Sequence, residues 1–546
     1  MKKHFLVSLA IFALCSLSSA WACTNFLVGK DASADGSTII SYAADSYTLY
    51  GFLRFSPAAD HPEGAMREVK DWDTGRPLGA IPQVAHTYSV VGNMNEHQLT
   101  IGETTWGGRP ELEDTIGIDY GSLIYIALER CKTAREAIDV MTSLVEKYGY
   151  ASSGETFSIG DPNEVWIMDL IGKGPGRKGA VWVATRVPDD CICAHANQAR
   201  IQQINFKDKE NWRWSKDVVK FAKEMGYFSG KDTDFSFQAA YAPYDFSGLY
   251  VCEARVWSFF RHFSDEMEPY YDYATGKTFL ATGGKDAGTP MPLYLKPNRK
   301  VSVQDIKNCM RDQYEGTPLD ITQGTDAGPW HSKLRYGGLA FQVDSVRYWY
   351  ERPTATQQTG WSFVAQMRGY ADPKAGGIFW FGVDDAATTV YVPMYSRINH
   401  VPDCFAEGNG DLYTFSPTSA WWAFNIVANW AYTKYDRMLP EIREVQQALE
   451  DKFNMQIAGV DAKAQSLPDA DARAYLTNYS CAQADNTMVE WQRLAIFLLT
   501  KYLDGQERKM ENGEFVRNPY GEPASPNRLP LPENCLRTFT GEVIHE

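Results

Sequence analysis

The stretch Cys23-Thr-Asn-Phe-Leu-Val-Gly-Lys-Asp-Ala-Ser-Ala-Asp-Gly-Ser-Thr-Ile-Ile-Ser-Tyr-Ala-Ala-Asp45 decides the reading of this 546-residue chain. Residues 24–29 and 37–42 are apolar and β-branched, and Asp35-Gly36 between them favours the positive-φ turn of a β-hairpin. A hairpin is therefore expected, with Cys23 heading its first strand.

What precedes Cys23 gives it chemical meaning. Lys2 and Lys3 form a basic start, and residues 5–17 are a thirteen-residue apolar run, too short for a comfortable membrane span. The run leads to Ala20-Trp21-Ala22, with small residues where a signal peptidase reads. Residues 1–22 are thus expected to be a signal peptide, and a cut after Ala22 leaves Cys23 first. The protein would be exported, to the periplasm or beyond. A lipid anchor on Cys23 is the alternative, although Trp21 is too large for the small residue that lipoprotein signals place there.

Composition excludes some functions. Losing Lys2 and Lys3 takes the formal charge from −15 to −17, which argues against nucleic-acid tracking and against an anionic membrane surface. Hydrophobic residues at 44% suffice for large cores. Apart from Cys15 and Cys23, eight cysteines remain, enough for up to four disulfides in an oxidising compartment. Cys191-Ile-Cys193 has no zinc-type second pair, and no phosphate loop or dinucleotide fingerprint occurs, so neither a metal nor a cofactor is expected.

Further along, strand patterns occur at 87–91, 99–103, 155–160, 165–171, 180–185, 337–341, 361–368, 377–383 and 388–393. Helical periodicity marks 122–148, 212–225, 419–453 and 484–504, whereas 265–335 has the weakest pattern and 518–534 reads as coil. Helices come in blocks rather than alternating with strands, which favours an α+β fold over a doubly wound sheet.

A processed N-terminal cysteine supplies a thiol nucleophile and a free α-amine with a pKa near 8, able to relay its proton without a histidine. Amide cleavage also needs donors aimed at the developing oxyanion.

The opening stretch resembles the start of peptidase family C69, dipeptidases of the N-terminal-nucleophile hydrolase superfamily related to bile salt hydrolases and penicillin V acylases. The resemblance continues through Gly92-Asn-Met-Asn-Glu96, Gly102-Glu-Thr-Thr105, Ser153-Gly-Glu-Thr-Phe-Ser158, Asp161-Pro-Asn-Glu-Val-Trp166, His195-Ala-Asn-Gln-Ala-Arg200, Tyr314-Glu-Gly-Thr-Pro-Leu-Asp320, Ser362-Phe-Val-Ala-Gln366, Trp380-Phe-Gly-Val-Asp-Asp385 and Ser419-Ala-Trp-Trp422. It implies a four-layer αββα sandwich over residues 23–450, with 451–546 as a helical C-terminal extension. It also implies Cys23 as nucleophile, Asp45 as partner of the α-amine, Asn197 as an oxyanion donor, Thr105 as a second donor through its backbone N–H, and Arg255 beside the thiol. Relatives carry an arginine three residues before the aspartate; Tyr42 stands there and brings no charge. His195 is the other conceivable base, but an N-terminal amine makes it unnecessary.

The expected function is cysteine-dependent hydrolysis of dipeptides or short peptides. An amidase of N-acyl amino acids or bile salts is the alternative within the superfamily, and a non-catalytic lipid-anchored binding protein the alternative outside it. Membrane association is expected only if Cys23 is lipidated, and the sequence is compatible with a homo-oligomer.

Overall fold

A computed structural model describes residues 23–530 and 535–536. The expected signal peptide lies outside the described residues. Strand Thr24–Val28 and strand Thr38–Asp45 form the expected antiparallel hairpin, with Asn25 opposite Tyr42. Its connection turns at Gly36 (φ +81°), where the Asp35 carboxylate accepts from the Ser37 amide and hydroxyl at 3.0 and 2.6 Å. Both strands are buried along their whole length, so the polar-apolar alternation of a half-exposed sheet is missing.

That hairpin lies at the centre of a seven-stranded sheet. The strand order is Tyr294–Leu295, Ile192–His195, Thr24–Val28, Thr38–Asp45, Thr359–Met367, Ile378–Val383, Val392–Tyr395. An eight-stranded sheet contains Ala180–Arg186, Val165–Gly172, Gly154–Gly160 and Thr100–Trp106 as neighbours, and every ladder is antiparallel. The two sheets meet where Thr24–Val28 and Thr38–Asp45 pack on Thr100–Trp106 and Gly154–Gly160. Helices Tyr120–Arg130 and Ala134–Tyr148 cover the second sheet, and helices Val303–Met310, Ala420–Thr433 and Asp469–Lys501 pack on the first. The protein is a mixed α+β molecule of antiparallel sheets and helices. No described helix is long and apolar enough to cross a membrane.

Several elements differ from the sequence reading for local reasons. The tract 122–148 is two helices, split where Thr133 caps the second by accepting from the Glu136 amide. Residues 212–225 are not one helix: Trp212–Trp214 pairs as a strand with Val183–Thr185, and the helix begins only at Val218. A turn at 385–388 delays the strand expected from 388 until Val392. The last long helix starts at Asp469, well before 484, and forms an antiparallel-type hairpin with helix Tyr435–Gln465. Helix Tyr435–Gln465 runs through residue 450 and holds Pro440 in its second turn, where the missing N–H costs one i→i−4 hydrogen bond. The weakly patterned 265–335 carries short helices, the longest being Val303–Met310 with a Ser302–Asp305 capping box. Cys23, Cys131, Cys191, Cys193, Cys252, Cys309, Cys404 and Cys481 are free thiols, so these eight do not take up the sulfur pairing that the number of cysteines allows.

Candidate active site

Cys23 immediately precedes Thr24–Val28, an inner strand of the seven-stranded sheet, and is 2% exposed. Arg255 fixes its backbone: one guanidinium nitrogen, Nη1, donates to the Cys23 carbonyl at 2.7 Å and to the Thr24 hydroxyl at 2.8 Å. The other, Nη2, donates to Asn197 Oδ1 at 3.0 Å, while Nε donates to the Val251 carbonyl at 2.8 Å. Arg255 lies in the first turn of helix Ala254–Arg261, directly after a π-helical segment, Gly248–Glu253. Such widened turns often occur at functional sites because they re-aim the following side chains. Phe259 of the same helix stacks on Phe26 of the Cys23 strand, with centroids 4.1 Å apart.

Asn197 adopts a left-handed backbone (φ +57°), and its amide donates to the Thr105 carbonyl at 2.6 Å. An amide NH2 has two hydrogens, so one donor remains beyond that bond. Asn197 and Thr105 are only partly buried, and they mark where the site approaches the surface.

Asp45 is buried and balanced by a residue the sequence reading did not single out. Arg352 Nη2 lies 2.5 Å from its Oδ2, and the Thr359 hydroxyl donates to Oδ1 at 2.6 Å. A β-bulge between Thr359 and Trp361 brings Thr359 opposite Asp45. Burial raises the Asp45 carboxyl pKa, and Arg352 is the main opposing influence. A small cleft of about 40 Å³, lined by Tyr47, Arg335, Arg352 and Gln357 among others, opens beside this pair. The structure therefore brings Cys23, Asn197, Thr105 and Arg255 into one bonded chain. Asp45 is not bonded to Cys23 through its side chain, but its charge helps to raise the thiol pKa.

The thiol itself faces oxygen acids. Sγ is 3.6 Å from Tyr42 Oη and 3.7 Å from Glu103 Oε1, and the Tyr42 hydroxyl also donates to Glu103 Oε1. Burial, then the charge of Glu103, push the Cys23 thiol well above its ordinary pKa. Tyr42 therefore does not replace the cation of the relatives; it links the thiol to a carboxylate. Glu103 in turn bonds Glu155, whose Oε2 accepts from the Thr105 hydroxyl at 3.0 Å. Burial and the neighbouring Glu103 raise Glu155 well above the carboxylate range. Asp73, pushed up to about 7 chiefly by burial, extends this acidic zone and accepts from Tyr120 at 2.8 Å.

Neither glutamate was singled out from sequence. The available signal was the repeated Gly-Glu-Thr at 102–104 and 154–156, on adjacent strands with Thr105 opposite Glu155. Gly102 is needed there: a Cβ would stand 2.6 Å from Asn25 Nδ2 and 3.4 Å from the Tyr42 Cβ. With its amide oriented to satisfy its neighbours, Asn25 bonds both the N–H and the carbonyl of Glu103, at 3.0 and 2.9 Å, and clamps the two sheets together. His195 belongs to this clamp. Its ring nitrogens bond Thr104 at 2.7 Å and Ser158 at 2.6 Å, and burial holds its pKa well below the usual value. A neutral imidazole between two hydroxyls, with no bond to the thiol, is a structural group.

The fold is thus an antiparallel two-sheet body with a buried cysteine at the head of an inner strand. The chain matches the model of peptidase family C69 over residues 22–448 and belongs to that family. It is similar to a probable dipeptidase of Latilactobacillus sakei, 25% identical over 84% of this chain and 90% of the relative. It is also similar to a dipeptidase of Bifidobacterium longum, 27% identical over 74% of this chain and 76% of the relative. Dipeptidase A of Lactobacillus helveticus is 23% identical over 83% and 89% of the two chains.

Proposed function

We propose that the protein is an exported dipeptidase in which Cys23, freed as the N-terminal residue, is the nucleophile. The observation that carries this reading is the bonding of Arg255 to both the Cys23 carbonyl and Asn197, which sets an amide donor beside the thiol's own strand end. The sheet-on-sheet body with helices on both outer faces supports the four-layer αββα sandwich of N-terminal-nucleophile hydrolases for residues 23–450, with 451–546 as its helical extension.

In this reading Sγ attacks the scissile carbonyl carbon, and the oxyanion is held by the second Asn197 amide hydrogen and the backbone N–H of Thr105. The C–N bond breaks as the leaving amine takes a proton, and water then hydrolyses the thioester. Asp45, paired with Arg352, orients the Cys23 α-amine, which delivers a proton to the leaving amine and takes one from the attacking water.

Two measurements test the reading: the N-terminal residue of the exported protein, and turnover of dipeptides against N-acyl amino acids and conjugated bile acids. Cys23 at the N-terminus with dipeptide turnover is expected. A diacylglyceryl adduct on Cys23 would overturn the enzyme reading, because an acylated cysteine left on a membrane anchor cannot attack. Faster turnover of acyl conjugates would move the activity to the amidase alternative.

A further inference from the structure

We propose that Glu103 is a catalytic residue, the group that accepts the Cys23 thiol proton as the carbon–sulfur bond forms. The inference rests on Cys23 being the nucleophile and assigns the first proton acceptor of that reaction.

The geometry carries it. Oε1 of Glu103 lies 3.7 Å from Sγ and is the thiol's own acceptor in the described structure. The same oxygen receives the Tyr42 hydroxyl, so Tyr42, Cys23 and Glu103 form a closed triangle of one carboxylate oxygen, one thiol and one phenol. Glu103 Oε2 and Glu155 Oε1 have no other hydrogen-bond partner, and the two side chains bond each other. Thr105 secures the far oxygen of Glu155. The Glu103 backbone is fixed by Asn25, two residues along the strand from the nucleophile. The carboxylate is thus fixed from several sides with one oxygen on the thiol.

A glutamate here also resolves the missing cation. A preformed thiolate beside Glu103 would be repelled, because burial and that charge both raise the thiol pKa. Such a thiol reacts by general base catalysis, losing its proton only as it attacks. The S–H proton passes to Glu103 Oε1 while Sγ bonds to the carbonyl carbon and the carbonyl π pair becomes the oxyanion. On collapse the oxyanion reforms C=O, the C–N bond breaks, and the proton returns from Glu103 to the leaving amine, directly or through the α-amine of Cys23. Burial raises the Glu103 pKa, Glu155 and Tyr42 lower it by donating, and Asp45 raises it by charge. Tyr120 and Tyr150 are the phenols, and Asp73 the further carboxyl, that interact electrostatically with this pair.

The test is the pH profile of kcat/KM with iodoacetamide alkylation of Cys23, in the processed protein and its Glu103→Gln, Tyr42→Phe and Cys23→Ser variants. Glu103→Gln should lower kcat/KM about 100-fold or more and abolish the acid limb, yet move the alkylation midpoint to lower pH by removing a negative neighbour. A merely structural glutamate would not produce that split. Tyr42→Phe should move the acid limb to higher pH, because Glu103 loses a donor. Glu103→Gln turnover within threefold of wild type, or turnover rising together with alkylation, overturns the proposal. If Glu103→Gln fails to fold, an unmoved acid limb in Tyr42→Phe overturns it. Turnover that survives in Cys23→Ser would overturn the nucleophile reading beneath it, a failure distinguishable from a loss of Glu103's role alone.

Discussion

Arg352 holds Asp45 across 307 residues of sequence, with Nη2 2.5 Å from Oδ2 and both side chains buried. Neither charge is tolerable there alone. Arg352→Ala should therefore destabilise the protein by about 3–5 kcal/mol, as expected for a buried ion pair stripped of one partner. Urea midpoints at pH 7 would check this, and a loss below 1 kcal/mol would show that Asp45 has another counter-ion.

Cys23→Ser should lower dipeptide turnover by about 10³-fold or more, since a serine hydroxyl is a far poorer nucleophile without a matched base. Steady-state hydrolysis by the processed protein measures this, with circular dichroism confirming that the variant is folded.

Asn197→Ala should reduce kcat by about 10²–10³-fold with little change in KM, the signature of a donor used in the transition state. A rise in KM at constant kcat would assign Asn197 to ground-state binding instead. Because its Oδ1 also receives Arg255, a modest stability loss should accompany the change.

Lys307 is buried, its Nζ lies 3.4 Å from the centroid of the Trp380 ring without a hydrogen-bond partner, and burial pulls its pKa down to about 7. The unfolded chain, with a lysine pKa near 10.4, binds more protons between pH 7 and 10, so this group makes stability rise with pH across that window. Lys307→Met should remove the slope and stabilise the protein at pH 7 by about 2–4 kcal/mol. Chemical denaturation at pH 7, 8.5 and 10 would decide; parallel curves for both proteins would mean that Lys307 is neutralised in another way.

His195→Gln should cost about 1–3 kcal/mol by leaving Thr104 or Ser158 badly paired. The shape of the pH–activity profile should stay the same. Disappearance of a limb near pH 6 in that variant would restore histidine as the base.

Much of this was legible in the chain. The Asp35-Gly36 turn and the unbroken apolar strands on either side led to the hairpin, and the local 3.6- and 2-residue periods located most other strands and helices. Errors fell where tertiary pairing overrode local preference, as at Trp212–Trp214, drawn into a strand by Val183–Thr185. Cys23, Asp45, Thr105, Asn197 and Arg255 could be named because the resemblance to the C69 family points to each of them. The contact of Asn197 with Arg255 and Thr105 joins segments that only the fold brings together.

By itself the sequence determined the family, the antiparallel opening hairpin and the position of Cys23 at its head, because short-range turn chemistry and ordered motifs suffice for these. Only the tertiary structure decided what surrounds the thiol: Tyr42 and Glu103 in place of a cation, Glu155 behind them, and Arg352 on Asp45. Electrostatics inside a protein depends on burial and on distances of a few ångströms between residues far apart in the chain. No pattern read along one strand contains those distances.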